Sequence, residues 1–254
     1  MAKRVTLITG ASAGIGAALA RVFAAHGHEL VLVARRKSEL DRVADAIAAA
    51  GHAQPQVVPI DLGRHEAPAR LAADLVTLGL EPEAVVNNAG YGLSGEAAAL
   101  DLAEQTAMID LNVRTLTDLS LRWLDCLARH HGGILNVASI AAFMPGPGMA
   151  VYHATKAFIL SFSEALHQEL RPRGVRVTVL CPGPVETGFQ ARAGLAADRF
   201  PRTLVRTSGR VAEDGYDGFV RGRRLVVPGF ANQVAALLPR FLSRERIVTL
   251  SQAK

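Results

Sequence analysis

Short apolar runs of three to six residues alternate along the chain with longer segments in which apolar residues recur at helical spacing. The apolar runs are 5–9, 30–34, 56–60, 84–87, 133–138, 176–181 and 225–227, and helix candidates lie at 14–26, 38–50, 65–78, 101–129, 152–171 and 210–220. The first six runs are too continuously apolar for strands with one face in water, so we predict that they form buried parallel strands.

The regular alternation of strands and helices predicts the fold class. We expect an α/β protein with one Rossmann-type doubly wound domain, a largely parallel seven-stranded sheet and helices on both faces. The chain shows no internal repeat, low-complexity tract or linker, so residues 1–254 are predicted to form a single domain. Residues 184–207 are predicted to form a substrate lid, because they are long for a plain connection, and 228–254 form a C-terminal extension.

The composition excludes several classes of protein. No apolar run approaches the roughly 20 residues of a membrane span, and the short apolar stretch at the N-terminus fits a first strand rather than a signal peptide. The two cysteines fit a reducing cytoplasm, which is the location we predict. The net charge of +5 comes from scattered arginines without a zinc spacing or an RNA-binding aromatic motif, so we expect no metal and no nucleic acid.

The C-terminal tail combines apolar residues with arginines, a pattern that can lie on a membrane surface. Pro239 interrupts any long helix there, so packing on the sheet or on another subunit is favoured over membrane contact.

A glycine-rich turn follows the first predicted strand. It reads Thr9-Gly10-Ala11-Ser12-Ala13-Gly14-Ile15-Gly16 and leads into an alanine-rich helix. Glycines allow a tight turn and the close approach of a pyrophosphate to the helix N-terminus. The same turn could be purely structural, but its place between the first strand and the first helix favours nucleotide binding.

The second predicted strand ends in Arg35-Arg36-Lys37, with no carboxylate at its tip. Enzymes that use NAD place an acidic residue near this point, whereas arginines can hold a 2′-phosphate through charge-assisted hydrogen bonds. The sequence therefore predicts NADP(H), with Arg35 as the main contact and Arg36 as a second. A solvated charge cluster is the alternative interpretation.

Tyr152 and Lys156 stand four residues apart, with Ser139 upstream. On a helix this spacing places the phenol and the ammonium on one face. A neighbouring ammonium lowers a phenol's pKa, so Tyr152 is predicted to exchange a proton with a substrate oxygen near neutral pH. Ser139 could instead be only a cap.

These features occur in an order that resembles the short-chain dehydrogenase/reductase family. The similarity covers residues 4 to about 228. Its motifs are the turn from Thr9 to Gly16, Asp61-Leu62, Asn87-Asn88-Ala89-Gly90, Asn112, Ser139, Tyr152-His153-Ala154-Thr155-Lys156 and Pro182-Gly183-Pro184-Val185-Glu186-Thr187. Many NADP-dependent members of the family carry a basic residue in this turn, but this chain has Ala13 there. The basic strand Arg223-Arg224-Leu225-Val226-Val227, followed by Pro228-Gly229-Phe230, resembles the DltE-like branch of broad-specificity bacterial reductases.

The resemblance implies a role for each matching residue. Tyr152 would be the general acid or base, and Ser139 would hydrogen-bond the carbonyl oxygen. Lys156 would bind the nicotinamide ribose and depress the Tyr152 pKa. Asn112 would hold a relay water, or instead only satisfy nearby backbone. The expected cofactor contacts are Gly10, Ser12, Ala13, Gly14, Ile15, Gly16, Arg35, Arg36, Asp61, Leu62, Asn88, Ala89, Gly90, Tyr152, Lys156, Pro182, Gly183, Val185 and Thr187.

The predicted function is an NADP(H)-dependent oxidoreductase that transfers hydride between nicotinamide and a carbonyl or secondary alcohol. Alternatives are a 3-oxoacyl-carrier reductase, a hydroxysteroid-like dehydrogenase, a cofactor-binding regulator without turnover, or a membrane-associated scaffold. Apolar residues in the predicted substrate loops favour an apolar small molecule; they are Tyr91, Leu93, Phe143, Met144, Met149, Phe189, Leu195 and Phe200. Four lid arginines could meet an acidic group or simply be exposed; they are Arg192, Arg199, Arg202 and Arg206. Family resemblance implies a homodimer or homotetramer through the helices at 101–129 and 152–171.

Overall fold

The computed structural model describes residues 2–189, 193–194 and 201–252. Part of the predicted lid, including Arg192, Leu195, Arg199 and Phe200, lies outside the described residues, as does the end of the C-terminal extension.

Seven parallel strands form one sheet in the order β3-β2-β1-β4-β5-β6-β7. The strands are β1 (Lys3–Thr9), β2 (Leu30–Ala34), β3 (Gln56–Pro59), β4 (Leu80–Asn87), β5 (Gly133–Val137), β6 (Arg176–Leu180) and β7 (Leu225–Val226). The order reverses between β1 and β4, where an open α/β sheet leaves a crevice at the carboxyl ends of its strands. The predicted fold class is confirmed.

Strand β4 begins at Leu80, four residues earlier than the apolar run predicted. Its first residues include Glu81 and Glu83, and these charged residues interrupt the apolar pattern from which the strand was predicted. Both find partners in the fold: Glu81 accepts a hydrogen bond from His130 at 2.9 Å, and Glu83 lies 3.4 Å from His28. Pairing of these carboxylates explains how charged residues fit at the start of a central strand.

Helices cover both faces of the sheet. They are α1 (Gly14–Ala25), α2 (Lys37–Ala49), α3 (Ala67–Thr77), α4 (Leu102–Ile109), α5 (Leu116–Arg122), α6 (Leu124–Arg129), α7 (Ala150–Leu170), α8 (Ser208–Val220), α9 (Phe230–Leu237) and α10 (Arg244–Gln252). Successive residues of β1 show the two cores: Ile8 packs with α1, α2 and α8, and Leu7 packs with α3, α5, α6 and α7. The central strands are therefore buried on both faces, as the continuous apolar runs predict, whereas the prediction was wrong for much of the edge strand β3, where Gln56 and Pro59 are exposed.

The segment predicted as one helix over 101–129 is divided into shorter helices. A π-helical turn, Asp110–Thr115, separates α4 from α5, and Trp123 leaves helical geometry between α5 and α6. π-turns are rare and often mark functional sites. This one contains Asn112, whose side chain is buried.

The C-terminal extension forms helices that the sequence did not predict. A 3-10 turn, Leu238–Arg240, contains Pro239 and separates α9 from α10. Helix α9 packs against the 3-10 turn Ile140–Phe143, which directly follows Ser139. The extension therefore lies beside the carboxyl ends of the strands. Among the described residues, no helix is both long and apolar enough to cross a membrane.

Candidate active site and cofactor cleft

The glycine-rich turn has the geometry of an anion-binding loop. Gly10 and Gly14 have φ of 64° and 55°, the left-handed region that favours glycine. A Cβ at Gly16 would stand 2.8 Å from the Gly10 carbonyl carbon, so only glycine fits there. No side chain of the residues that the structure describes caps the N-terminus of α1, and its first turn contains no acidic residue. The N–H groups of this helix end are thus available to a phosphate.

Asn88 holds this turn in place from the neighbouring strand. Its Nδ2 donates to the carbonyl oxygens of Thr9 at 2.9 Å and Gly10 at 3.2 Å. The backbone N–H groups of Asn88 and Ala89 both donate to Thr9 Oγ1, at 3.0 and 3.1 Å. Asn88 therefore shapes the cleft through its contacts with the turn.

The tip of β2 presents Arg35 and Arg36 to solvent directly after the strand. Lys37, the third cation of the cluster, is held by Asp41 at 2.8 Å on the same helix. Glu39 pairs with Arg42 and does not turn toward the tip. The strand end therefore carries two exposed guanidinium groups, and within the described part of the chain neither forms an ion pair with a carboxylate.

Asp61 and Leu62, which are predicted to border the adenine, differ in burial and in their contacts. Asp61 is exposed, and its carboxylate accepts a hydrogen bond from the Gly63 N–H at 3.1 Å. Leu62 is buried, and its carbonyl accepts from Thr115 Oγ1 at 2.8 Å, which ties this loop to the π-helical turn.

Ser139, Tyr152 and Lys156 come together at the carboxyl end of β5. The Ser139 hydroxyl lies next to the Tyr152 phenol, and it donates a hydrogen bond to the Pro182 carbonyl oxygen at 3.5 Å. The Ser139 oxygen also accepts from the Ala141 N–H at 3.1 Å, so it caps the 3-10 turn as well. Lys156 is buried one turn beyond Tyr152, with Nζ 5.8 Å from the ring centroid and 2.9 Å from the Val137 carbonyl oxygen that accepts its hydrogen bond.

The pKa of Tyr152 shifts in the opposite direction from the expectation. Burial raises it to about 12, while the neighbouring Ser139 hydroxyl acts to lower it. Burial also lowers the pKa of Lys156 to about 8. The expected lowering by Lys156 was wrong for the protein alone, because the loss of hydration outweighs the attraction of an ammonium that points to Val137.

The thiol of Cys181 lies in the same buried region. Burial raises its pKa to about 12, so the thiol is neutral and adds no charge beside Lys156.

Asn112 joins two parts of the site from its π-helical turn. Its Nδ2 donates to the Tyr91 carbonyl at 2.9 Å and to Thr155 Oγ1 at 3.1 Å, and its Oδ1 accepts from the Tyr91 N–H at 3.2 Å. A Cβ at Gly90 would lie 2.9 Å from Asn112 Oδ1 and 3.7 Å from Lys156 Nζ. The Asn112 side chain thus fixes the Tyr91 loop beside Lys156.

The loop after β6 completes the cleft. Pro182 accepts a hydrogen bond from the Ile140 N–H at 2.9 Å, which ties the loop to the Ser139 segment. Val185 is buried, and Thr187 lies across the cleft from the glycine turn, where a Cβ at Gly14 would stand 3.1 Å from its methyl group. The predicted cofactor residues of this loop therefore face those of the first turn.

An apolar cluster surrounds the Tyr152 ring. The Phe189 ring lies 5.4 Å from it between centroids, and the cluster also contains Tyr91, Leu93, Met108, Ala141, Met149, Val151 and Ala193. His153, which the sequence analysis did not single out, is fixed nearby: its Nδ1 lies 2.8 Å from the Met144 carbonyl, and burial lowers its pKa. This surface favours an uncharged substrate group next to the Tyr152 hydroxyl.

Comparison with known proteins gives consistent similarities. Residues 4–197 match the model of the family described as short chain dehydrogenase. Sulfoacetaldehyde reductase 2 from Chromohalobacter salexigens is 35% identical over 208 residues, 81% of this chain and 77% of that protein.

Two solved structures are similar over most of their length. A short-chain dehydrogenase from Sphingobium yanoikuyae in complex with NADPH superposes with a TM-score of 0.82 at 32% identity, covering 94% of this chain and 93% of that one. The bulky-bulky ketone specific alcohol dehydrogenase from Comamonas testosteroni has a TM-score of 0.76 at 29% identity, with 98% and 91% covered.

Proposed function

Because the chain belongs to the short-chain dehydrogenase family, we propose that it is an NADP(H)-dependent oxidoreductase acting on a carbonyl or secondary alcohol of an apolar substrate. The observation that carries this proposal is the grouping of Ser139, Tyr152 and Lys156, in which the Ser139 hydroxyl lies next to the buried Tyr152 phenol and the buried Lys156 ammonium lies one helical turn away. That group stands beside an uncapped helix end suited to a dinucleotide phosphate.

The residues present fit a bound NADP(H). The glycine turn and the free N–H groups of α1 would hold the pyrophosphate, and Arg35 and Arg36 would hold the 2′-phosphate. The related structure from Sphingobium yanoikuyae contains NADPH, which supports this choice. Lys156 would reach the nicotinamide ribose, since its Nζ lies close to Gly90 in the cleft.

When bound, the nicotinamide would supply or accept the hydride. Tyr152 would deliver a proton to the substrate oxygen in reduction and remove it in oxidation. With a pKa of about 12 the phenol is protonated at neutral pH. Tyr152 in the protein alone therefore already carries the proton that reduction of a carbonyl requires. Ser139 would donate its hydroxyl to the same substrate oxygen and stabilise the charge that develops there.

Lys156 would favour proton transfer by its charge once its ammonium turns from Val137 toward the cleft. Asn112 would act by fixing the Tyr91 backbone on one side of the pocket and Thr155 on the other. We also propose that a water molecule behind Lys156 relays the proton.

The substrate class follows from the cluster around Tyr152. Phe189, Met149 and Leu93 favour a ketone, aldehyde or secondary alcohol with apolar substituents. The Comamonas testosteroni relative is titled a bulky-bulky ketone specific enzyme, which agrees with this class. The name sulfoacetaldehyde reductase 2 points to a small anionic substrate instead, and Arg202 and Arg206 are the lid arginines among the described residues that would meet one.

Exposed apolar residues support the homodimer or homotetramer expected from the family. Phe158 on α7 is 40% exposed and stacks on Phe162, and Leu121 on α5 is 44% exposed. The molar mass in solution, measured by light scattering, tests this assembly. A mass near 27 kDa at micromolar concentration would contradict it.

The activity is tested by following NADPH and NADH consumption with the purified protein. The panel contains bulky aryl ketones, a diketone, an acetoacetyl thioester and small aldehydes with and without a sulfonate. We expect turnover with NADPH and a bulky ketone well above that with NADH. A preference for the sulfonated aldehyde would replace the apolar substrate class, and a preference for NADH would refute the role of Arg35.

A further inference from the structure

Asn232 is fully buried (0% exposed) in the first turn of α9. Its Nδ2 donates hydrogen bonds to the carbonyl oxygens of Leu204 at 3.1 Å and Pro228 at 2.9 Å. Its Oδ1 is buried without a hydrogen-bond partner among the described residues. A buried oxygen without a partner lowers stability. The two donated hydrogen bonds account for the amide nitrogen, but the stability of α9 does not account for the buried Oδ1.

The carboxamide of Asn232 lies directly against Gly183 in the loop after β6. A Cβ at Gly183 would stand 2.6 Å from Asn232 Nδ2, so no side chain other than hydrogen fits between them. Gly183 is not among the glycines with positive φ. Its lack of a side chain thus serves this close approach and not an unusual backbone conformation.

The same amide is also connected to the end of the predicted lid. Two residues after Leu204, the Arg206 N–H donates to the Pro184 carbonyl at 3.0 Å, and the Arg206 carbonyl accepts from the Glu186 N–H at 3.2 Å. Asn232 therefore joins three segments: the C-terminal helix, the loop after β6 and the last residues of the lid.

We propose, building on the proposed function, that Asn232 is a positioning residue for NADP(H) binding. Its amide packs against Gly183 and fixes the position of that backbone at the nicotinamide end of the cleft. Its hydrogen bond to the Leu204 carbonyl holds the end of the lid. The C-terminal extension then takes part in cofactor binding, although it lies outside the residues that match the family model.

The first test is Asn232→Asp, which keeps the size of the side chain but replaces both N–H donors by a carboxylate oxygen facing two carbonyls. We expect the Kd for NADPH to rise about tenfold, equivalent to about 1.4 kcal/mol, while kcat at saturating NADPH falls less than threefold. The matched control is Gln233→Glu, the same chemical change at the next, exposed residue, with a Kd within about twofold of the parent. A merely structural role would lower the unfolding midpoint without this difference between Kd and kcat.

A second test reaches the same contact from the other side and does not depend on Asn232→Asp folding. Gly183→Ala is measured in the parent chain and in Asn232→Ala, where the space beside residue 183 is open. We expect the increase in NADPH Kd caused by Gly183→Ala to be at least fivefold smaller in the Asn232→Ala background.

Equal increases in both backgrounds, or an Asn232→Asp variant that binds NADPH like the parent, would overturn the positioning role and leave the proposed function intact. A parent chain that binds no NADPH would overturn the proposed function itself and this role with it.

Discussion

Lys156 is a buried charge whose burial should reduce the stability of the folded protein. The fall of its pKa from 10.5 to about 8 corresponds to about 3 kcal/mol of destabilisation at pH 7, where the side chain is charged in both states. Lys156→Met would remove this cost. It would also lose the hydrogen bond to the Val137 carbonyl, worth about 1 kcal/mol. In the absence of nucleotide, the variant should therefore be about 2 kcal/mol more stable at pH 7, although it lacks activity.

The sign of the pH dependence follows from the same shift. The folded state binds the Lys156 proton more weakly than the unfolded state, so unfolding takes up protons between about pH 8 and 10.5. The parent should gain stability through this window relative to the variant, and the difference of about 2 kcal/mol should almost vanish by about pH 10.

Urea unfolding at pH 7 and pH 10 measures both quantities. Lys37→Met is the matched control, because Lys37 is exposed and pairs with Asp41, and its stability should differ from the parent by less than about 0.5 kcal/mol. A Lys156→Met variant less stable than the parent at pH 7, by an amount that does not change with pH, would refute the reasoning.

Three further substitutions test other parts of the account. Asn112→Ala removes three buried hydrogen bonds, and the free energy of unfolding in urea should fall by about 2–3 kcal/mol; a loss below about 0.5 kcal/mol would contradict the bridging role. Gly16→Ala should raise the NADPH Kd, measured by calorimetry, more than tenfold, because its Cβ would collide with the turn backbone. The control Gly209→Ala has open space around it and should leave the Kd unchanged. Equal effects of the two substitutions would argue against the turn as the phosphate site. Arg35→Ala should weaken NADPH binding by about tenfold or more and leave NADH unchanged, with Lys37→Ala as the control; parallel losses for both nucleotides would refute the 2′-phosphate contact.

Much of the fold and the outline of the site could be predicted because they depend on local pattern. The dry faces of the sheet require continuous apolar runs, and residues that follow such runs at the carboxyl ends of parallel strands must gather at one edge. Gly16, Ser139 and the loop from Pro182 to Thr187 all follow predicted strands. The helical spacing of Tyr152 and Lys156 similarly placed both on one face.

The remaining features depend on tertiary contacts that no local pattern reports. The charged start of β4 is stabilised by histidines distant in sequence. The net pKa of Tyr152 depends on how completely the fold buries its hydroxyl, which spacing alone does not give. Asn232 attracted no notice in the sequence, because its importance comes from the close approach of Gly183. Asn112 gave a local signal through its poor helix propensity, but its partners became visible only in the fold.

The most direct test of the central claim compares the parent with Tyr152→Phe, which removes one hydroxyl from the site. NADPH consumption with the best ketone and NADPH Kd are measured on both proteins. We expect turnover to fall by about 10²–10⁴ while the Kd stays within about twofold, because the hydroxyl exchanges the proton and does not hold the nucleotide. A variant that keeps most of its activity would contradict the proposed mechanism.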